Sequence, residues 1–179
     1  MVISDLHMHS SASYDCFTSM WDMCERAVAL GLEAVAFTEH VELNSEEFPS
    51  NPFDYQKARE TWEKVRGAYR GRLVVLFGAE VTYLPHLEDE IRRYLEVHPF
   101  DIVMGSIHDA PVIDFWHTRN AGIVRDNPEK AREALKVYLA GTEKLALSGL
   151  FDVVGHLGVY ERRMPGIWPG ISGDDELEP

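Results

Sequence analysis

Apolar, β-branched-rich runs alternate with amphipathic stretches along most of the chain. Val2 to Leu6 predicts a first strand. From Trp21 to Leu30 apolar residues recur at helical spacing, and Gly31 ends the pattern. Ala34 to Phe37 predicts a second strand. A polar loop with two prolines follows, and then a helix over Tyr55 to Tyr69, with Trp62, Val65 and Tyr69 at spacings of three and four. Leu73 to Phe77 predicts a third strand. Leu87 to Val97 predicts a short helix with Leu87, Ile91, Tyr94 and Leu95 on one face. Asp101 to Met104 opens a fourth strand. Asn127 and Pro128 start a long helix that runs to about Ser148 and is closed by Gly149. Phe151 to Val154 predicts a fifth strand. The tail from Gly170 to Pro179 is polar and acidic, a solvated end or the start of a sixth unit.

Strictly alternating strands and helices imply an α/β fold with parallel strands and right-handed crossovers. An open doubly wound sheet and a β/α barrel both satisfy that order. No GxGxxG or GxxxxGK[ST] follows the first strand, so nucleotide-binding versions lose support. The 179 residues suffice for one domain with a sizeable core, and 45 % of them are apolar. The net charge of -13 counts against nucleic acid or an anionic membrane as the main partner. A small anionic substrate stays open, because bound cations invert a local potential. Cys16 and Cys24 form no CxxC pair and read as free thiols in a reducing compartment. With no signal-peptide pattern and no apolar run of about 20 residues, the expected location is the cytoplasm.

The histidines fall at one kind of place. His7 and His9 follow the first predicted strand, His40 the second, Glu80 the third, His108 the fourth and His156 the fifth. In parallel α/β folds that edge carries the chemistry. Residues two apart on a strand point to the same side, so His7-x-His9 can face one cation. Imidazole with carboxylate, and no cysteine cluster, suits zinc, manganese or iron. His86 and His98 read as surface residues, and His117 as a loop residue with a smaller claim to face a substrate. Cys16 reads as a core thiol. Asp5 is a candidate for orienting an imidazole, and Glu39 is not assigned as a ligand because it points away from His40.

Asp5-Leu6-His7-Met8-His9-Ser10, Phe37-Thr38-Glu39-His40, Gly78-Ala79-Glu80, Gly105-Ser106-Ile107-His108 and Gly155-His156-Leu157, in this order, resemble the motifs of the polymerase-and-histidinol-phosphatase (PHP) family. The resemblance runs from the first strand to about Arg163. Ser148 to Leu157, and the loop with Asp114 after Gly105-Ser106-Ile107-His108, are similar to the histidinol-phosphatase branch. The resemblance implies a distorted (β/α)7 barrel, present here for about five βα units, as a single domain over residues 1–179. It implies up to three divalent metal ions. His7, His9 and Glu80 would hold the first, with Glu80 bridging to a second completed by His108 and His156, and Asp15 and His40 would hold a third. Arg162 matches a position that holds phosphate. Gly158 stands where the family commonly has Asp, and the family's closing Ser-Asp-Ala-His motif has no counterpart, which makes the domain incomplete at its C-terminus. A second copy covering the open barrel edge would be one remedy.

The implied reaction is hydrolysis of a phosphomonoester, most specifically L-histidinol phosphate in histidine biosynthesis, by a hydroxide held between two metals. His7, His9, Glu80, His108 and His156 are the catalytic set. The rivals are a phosphoesterase of the same family acting on another small phosphate ester or a nucleic-acid 3′ end, a non-catalytic metal-binding fragment, and a metal-dependent amidohydrolase. The acidic surface disfavours nucleic acid. Gly78-Ala79-Glu80 and Gly105-Ser106-Ile107-His108 favour the phosphatase over the amidohydrolase.

Overall fold

The computed structural model describes residues 3–43, 53–110, 113–114, 127–159 and 161, with the backbone alone at 109–110 and 113–114. Five parallel strands form one curled sheet, a half-barrel in the order β1-β2-β3-β4-β7. They are β1 (Ser4–Met8), β2 (Ala34–Val41), β3 (Val74–Thr82), β4 (Ile102–Ser106) and β7 (Val153–Val154). A small antiparallel pair, β5 (Asp109–Ala110) and β6 (Ile113–Asp114), stands apart from the sheet. The crossovers are α1 (Met20–Ala29), α2 (Tyr55–Tyr69), α3 (Glu88–Val97) behind a 3-10 turn at Pro85–Leu87, and α4 (Pro128–Leu147).

Helix starts follow local chemistry. Ser19 accepts the Asp22 N–H, Asp54 the Lys57 N–H and Asn127 the Lys130 N–H, each side chain satisfying a backbone donor the helix leaves open. The ends of α1 and α4 are followed by Gly31 and Gly149 at φ 75° and 66°, a conformation that costs glycine nothing. Two apolar layers cover the sheet. Met20 and Cys24 of α1 and Trp62 and Val65 of α2 pack over Phe37 and Phe77. Leu135 and Tyr138 of α4 pack with Val81, Tyr83 and Ile107. The Trp62 indole N–H donates to the Val75 carbonyl at 3.1 Å, so a large buried ring keeps its one polar atom satisfied.

Strand lengths depart from the sequence expectation. β2 continues past Phe37 to Val41, and β3 past Phe77 to Thr82, in unbroken register from Ala34↔Val74 to Val41↔Val81. Thr38, Glu39, His40 and Glu80 are polar yet stay in the ladder, because each is buried with polar partners (below). His40 and Glu80 therefore lie within strands, not after them, and so does His7 on β1. β4 begins one residue later than expected: the Asp101 carboxylate accepts the Phe77 N–H at 2.9 Å while its own N–H donates to the Phe77 carbonyl. Asp152 makes the same pair of bonds with Val103 at the entry to β7. A register irregularity between Asp5 and Met8 falls at His7, the kind of bulge that re-aims a side chain. Among the described residues no helix is long and apolar enough to cross a membrane.

Gly105 stands where β4 meets the ring of Phe151. A Cβ there would lie 2.6 Å from Phe151 Cγ, and that ring is backed edge-on by Tyr83. Gly105→Ala is expected to destabilise the fold by about 1–3 kcal/mol, the scale of an overpacked core. Urea unfolding checks it, and a change under about 0.5 kcal/mol, as at a free surface site, would contradict the packing described here.

Candidate metal centre

Alternation along paired strands assembles the site. In register, His40 faces Glu80, Glu80 faces Met104, and Thr82 faces Ser106. Residues two apart share a face, so Thr38 and His40 of β2, Gly78, Glu80 and Thr82 of β3, and Ser106 of β4 present to one side. His9, His108 and His156 reach the same place from the loops just past β1, β4 and β7.

Glu80 is the hub, with its side chain 1 % exposed. Its Oε1 lies 2.6 Å from His156 Nε2, 3.1 Å from His108 Nε2 and 3.7 Å from His7 Nε2. Its Oε2 lies 3.3 Å from both His9 Nε2 and His40 Nδ1. Ser106 Oγ donates to Oε1 at 2.7 Å. Asp15, half-exposed, places a carboxylate oxygen 3.5 Å from His40 Nε2. The structure thus brings together every candidate metal ligand read from the sequence, while Arg162 and His117 lie outside the described residues. Within the cluster, His9 and His40 gather on one oxygen of Glu80, and His7, His108 and His156 on the other. The resemblance had paired His7 with His9 on a first ion.

Among the described residues, three threefold sets of ligand atoms lie within 4.8 Å of one another: His7, Glu80 and His156; His9, His40 and Glu80; His40, Glu42 and His108. Sequence reasoning missed Glu42. Its Oε1 is 3.5 Å from His40 Nδ1 and 3.9 Å from His108 Nδ1. Its spacing of two from His40 was the available signal. It also missed the hydroxyls that orient imidazoles: Thr38 Oγ1 meets His7 Nδ1, and Thr82 Oγ1 meets His108 Nδ1, both at 2.7 Å. Asp5 does not take that role, because its carboxylate accepts the backbone N–H of His7. His86 is exposed. His98 is half-buried, stacked on Tyr94 with its Nδ1 against the Tyr94 carbonyl. The core thiol is Cys24, whereas Cys16 is only half-buried.

The donor set fits divalent ions. His108 Nε2 and His156 Nε2 lie 3.3 Å apart and address the same carboxylate oxygen, an arrangement a shared cation explains better than two competing protons. His40 Nδ1 is buried with no hydrogen bond. Neutral imidazoles with a carboxylate and no thiolate suit zinc, manganese or iron.

Burial pushes the Glu80 carboxyl up, but hydrogen bonds from His108, His156 and His9 outweigh it and hold the group far below the usual carboxylate range. Burial lowers His40 to about 4, with Glu80 pulling the other way and His9 and His108 adding to the fall. Burial also lowers His7. His9 is raised, because its hydrogen bond and charge attraction to Glu80 overcome its burial. His7 and His40 are thus poised as neutral ligands at neutral pH.

The model of a family described as "PHP domain" matches residues 5–172. A "Probable histidinol-phosphatase" of Deinococcus radiodurans is 26 % identical over 171 residues, covering 89 % of this chain and 62 % of that protein. The "Histidinol-phosphatase" of Bacillus subtilis is 26 % identical over 178 residues, covering 90 % of this chain and 64 % of that protein. The chain spans about three fifths of the length of the curated relatives it matches. The fold superposes at a TM-score of 0.69, with 21 % identity, on a histidinol phosphate phosphatase from Lactococcus lactis solved with zinc, L-histidinol and phosphate. That match covers 89 % of this chain and 59 % of the other.

The buried imidazoles set a pH dependence for the metal-free protein. Between about 6.5 and about 4 the unfolded chain takes a proton that native His40 refuses, so the unfolded state binds more protons and stability drops as the pH is lowered through that window. His7 acts in the same direction and His9 in the opposite one. His40 alone accounts for roughly 3 kcal/mol at full protonation. Urea unfolding in chelator is expected to show a large loss from pH 7 to pH 4.5. Equal or higher stability at the lower pH would contradict the buried neutral imidazole.

Proposed function

The chain belongs to the PHP domain family, and on that premise we propose that it is a metal-dependent phosphomonoesterase that hydrolyses L-histidinol phosphate to L-histidinol and phosphate. The observation that carries the reading is the buried Glu80 carboxylate ringed by five imidazoles. The naming of its relatives supports the substrate. In this reading residues 1–179 form one domain that works in the cytoplasm, its two thiols free.

His7, His9, Glu80, His108 and His156 would hold two ions, and Asp15 with His40 a third, as zinc, manganese or iron. Bound divalent ions lower the pKa of a coordinated water from about 16 toward 7 and neutralise phosphoryl charge. The protein's own residues prepare that chemistry. Glu80 stays ionised through the whole working range, so it serves as an anion that gathers cations and not as a proton donor. Thr38 and Thr82 hold His7 and His108 by their outer nitrogens, which aims each Nε2 inward. Tyr14 stacks on His40 at 4.9 Å between ring centres and His9 stacks on it at 4.2 Å, so the His40 ring has little freedom to turn. Arg162 is assigned to hold the phosphate, since a guanidinium matches a phosphate fork with paired donors. With Glu80, Glu42 and Asp15 all acidic, the centre repels a phosphate dianion until cations reverse the local potential.

Phosphate release from L-histidinol phosphate, with added manganese or zinc and a chelator control, tests the reaction. Chelator-sensitive turnover is expected. His108→Ala should lower kcat/KM by about 100-fold or more, since removing even a group behind a ligand costs about 10–100-fold. His98→Ala should change it by less than about threefold. Comparable losses in the two variants would overturn the assignment of the cluster.

The sheet also supports a proposal about assembly. Ile3 just before β1, Leu6 on β1, and Val153 and Val154 on β7 are exposed apolar side chains at the two outer strands. We assign their cover to a second copy of this chain. Light scattering is expected to give a dimer mass near neutral pH, and a strict monomer at high concentration would remove this part of the reading.

A further inference from the structure

We propose that Glu39, acting through the hydroxyl of Ser13, is a positioning residue that decides which nitrogen of His9 carries its proton. The proposal rests on the reading of the Glu80 cluster as a metal centre. It comes from a buried carboxylate that the centre does not itself use. Glu39 neighbours His40 on β2, and alternation sends it to the opposite face, where it is fully buried. Its hydrogen bonds go to Ser10 and Ser13 and not to the imidazoles around Glu80. Its oxygens accept from Ser10 N–H at 3.1 and 3.0 Å, from Ser10 Oγ at 2.5 Å and from Ser13 Oγ at 2.5 Å. A single carboxylate thereby ties down the loop that leaves β1 directly after His9.

Counting the hydrogens of Ser13 fixes the rest. A serine hydroxyl has one hydrogen to donate and two lone pairs to accept with. The hydrogen is committed to Glu39, which as a carboxylate has only acceptors to offer. One lone pair accepts the backbone N–H of His40 at 3.0 Å. The other faces His9 Nδ1 at 3.4 Å. With no hydrogen left on Ser13 for that contact, the proton between the two atoms must sit on His9 Nδ1. The other tautomer would set two lone pairs against each other in a buried site. The Nε2 of His9, 3.3 Å from Glu80 Oε2, is then the nitrogen whose lone pair is available to a cation. The same hydroxyl holds the backbone of His40, so one carboxylate aligns two imidazoles that stack 4.2 Å apart and nearly parallel.

Glu39→Gln turns an all-acceptor group into one that presents an N–H₂ to donors, and Ser13→Ala deletes the relay atom. Ser11→Ala changes an exposed hydroxyl in the same loop and serves as the control. The test uses zinc as the probe, with affinity measured by competition against a chelating dye and the tautomer read by NMR of protein carrying ¹⁵N-histidine. Wild type loaded with zinc is expected to show His9 protonated on Nδ1 and zinc-bound through Nε2. Glu39→Gln and Ser13→Ala are expected to weaken zinc binding by about 10–100-fold at temperatures where both remain folded. Ser11→Ala should match wild type. A purely packing role for Glu39 would lower the melting temperature and leave zinc affinity and the His9 spectrum untouched, and that result would overturn the proposal. So would a His9 that, in zinc-loaded wild type, keeps its proton on Nε2 and leaves Nδ1 bare, which decides the matter even if both variants fail to fold. Wild type that binds no zinc at all would remove the metal-centre reading itself, and is distinguished from the other failures by the first titration.

Discussion

The centre depends on one constraint: a carboxylate buried in the middle of a sheet must be compensated where it stands. Removing Glu80 from water without partners would be costly enough to unfold the strand around it. Five ring nitrogens and a serine hydroxyl converge on its two oxygens instead. The result is an anion that stays ionised and a ring of imidazoles, two of which are kept neutral by the same burial. This is a combination that hydrogen bonding among protein groups satisfies only in part and that divalent cations would complete.

The sheet exists in a form that serves this constraint. Parallel strands in register put His40 beside Glu80 and Thr82 beside Ser106, so neighbours on different strands meet without any loop to position them. β2 does two jobs at once. On one face Thr38 and His40 enter the cluster, and on the other Glu39 anchors the Ser10–Ser13 loop that carries His9 toward it. Strand alternation is thus the device by which one short peptide holds both the ligands and the support beneath them. The helices contribute the apolar cover, with Trp62 and Tyr138 as its largest buried pieces, and leave the polar edge of the sheet to the site.

Much of this was legible in the residues. The helices over Tyr55–Tyr69 and Pro128–Leu147 lie where periodicity and capping placed them, because those signals are local. The histidines were legible as a group because they recur after successive apolar runs. Strand ends were less so. The run of Thr38-Glu39-His40 reads as a loop by composition, and only pairing with Gly78-Ala79-Glu80 keeps it extended. The same non-local pairing hid Thr38, Thr82 and Ser106, whose roles follow from which side chain lies opposite them, whereas Glu42 offered only its spacing of two from His40. Asp5 illustrates the reverse: its position suggested an imidazole partner, but its carboxylate accepts the backbone N–H of His7.

The central claim is that the groups around Glu80 bind divalent cations as one centre. Crystals grown with zinc, with anomalous difference maps recorded on either side of the zinc edge, test it most directly. The account expects anomalous peaks about 2.0–2.2 Å from Glu80 oxygens and from imidazole nitrogens drawn from His7, His9, His40, His108 and His156. Zinc bound only elsewhere, with the imidazoles still hydrogen-bonded to a metal-free Glu80, would contradict it.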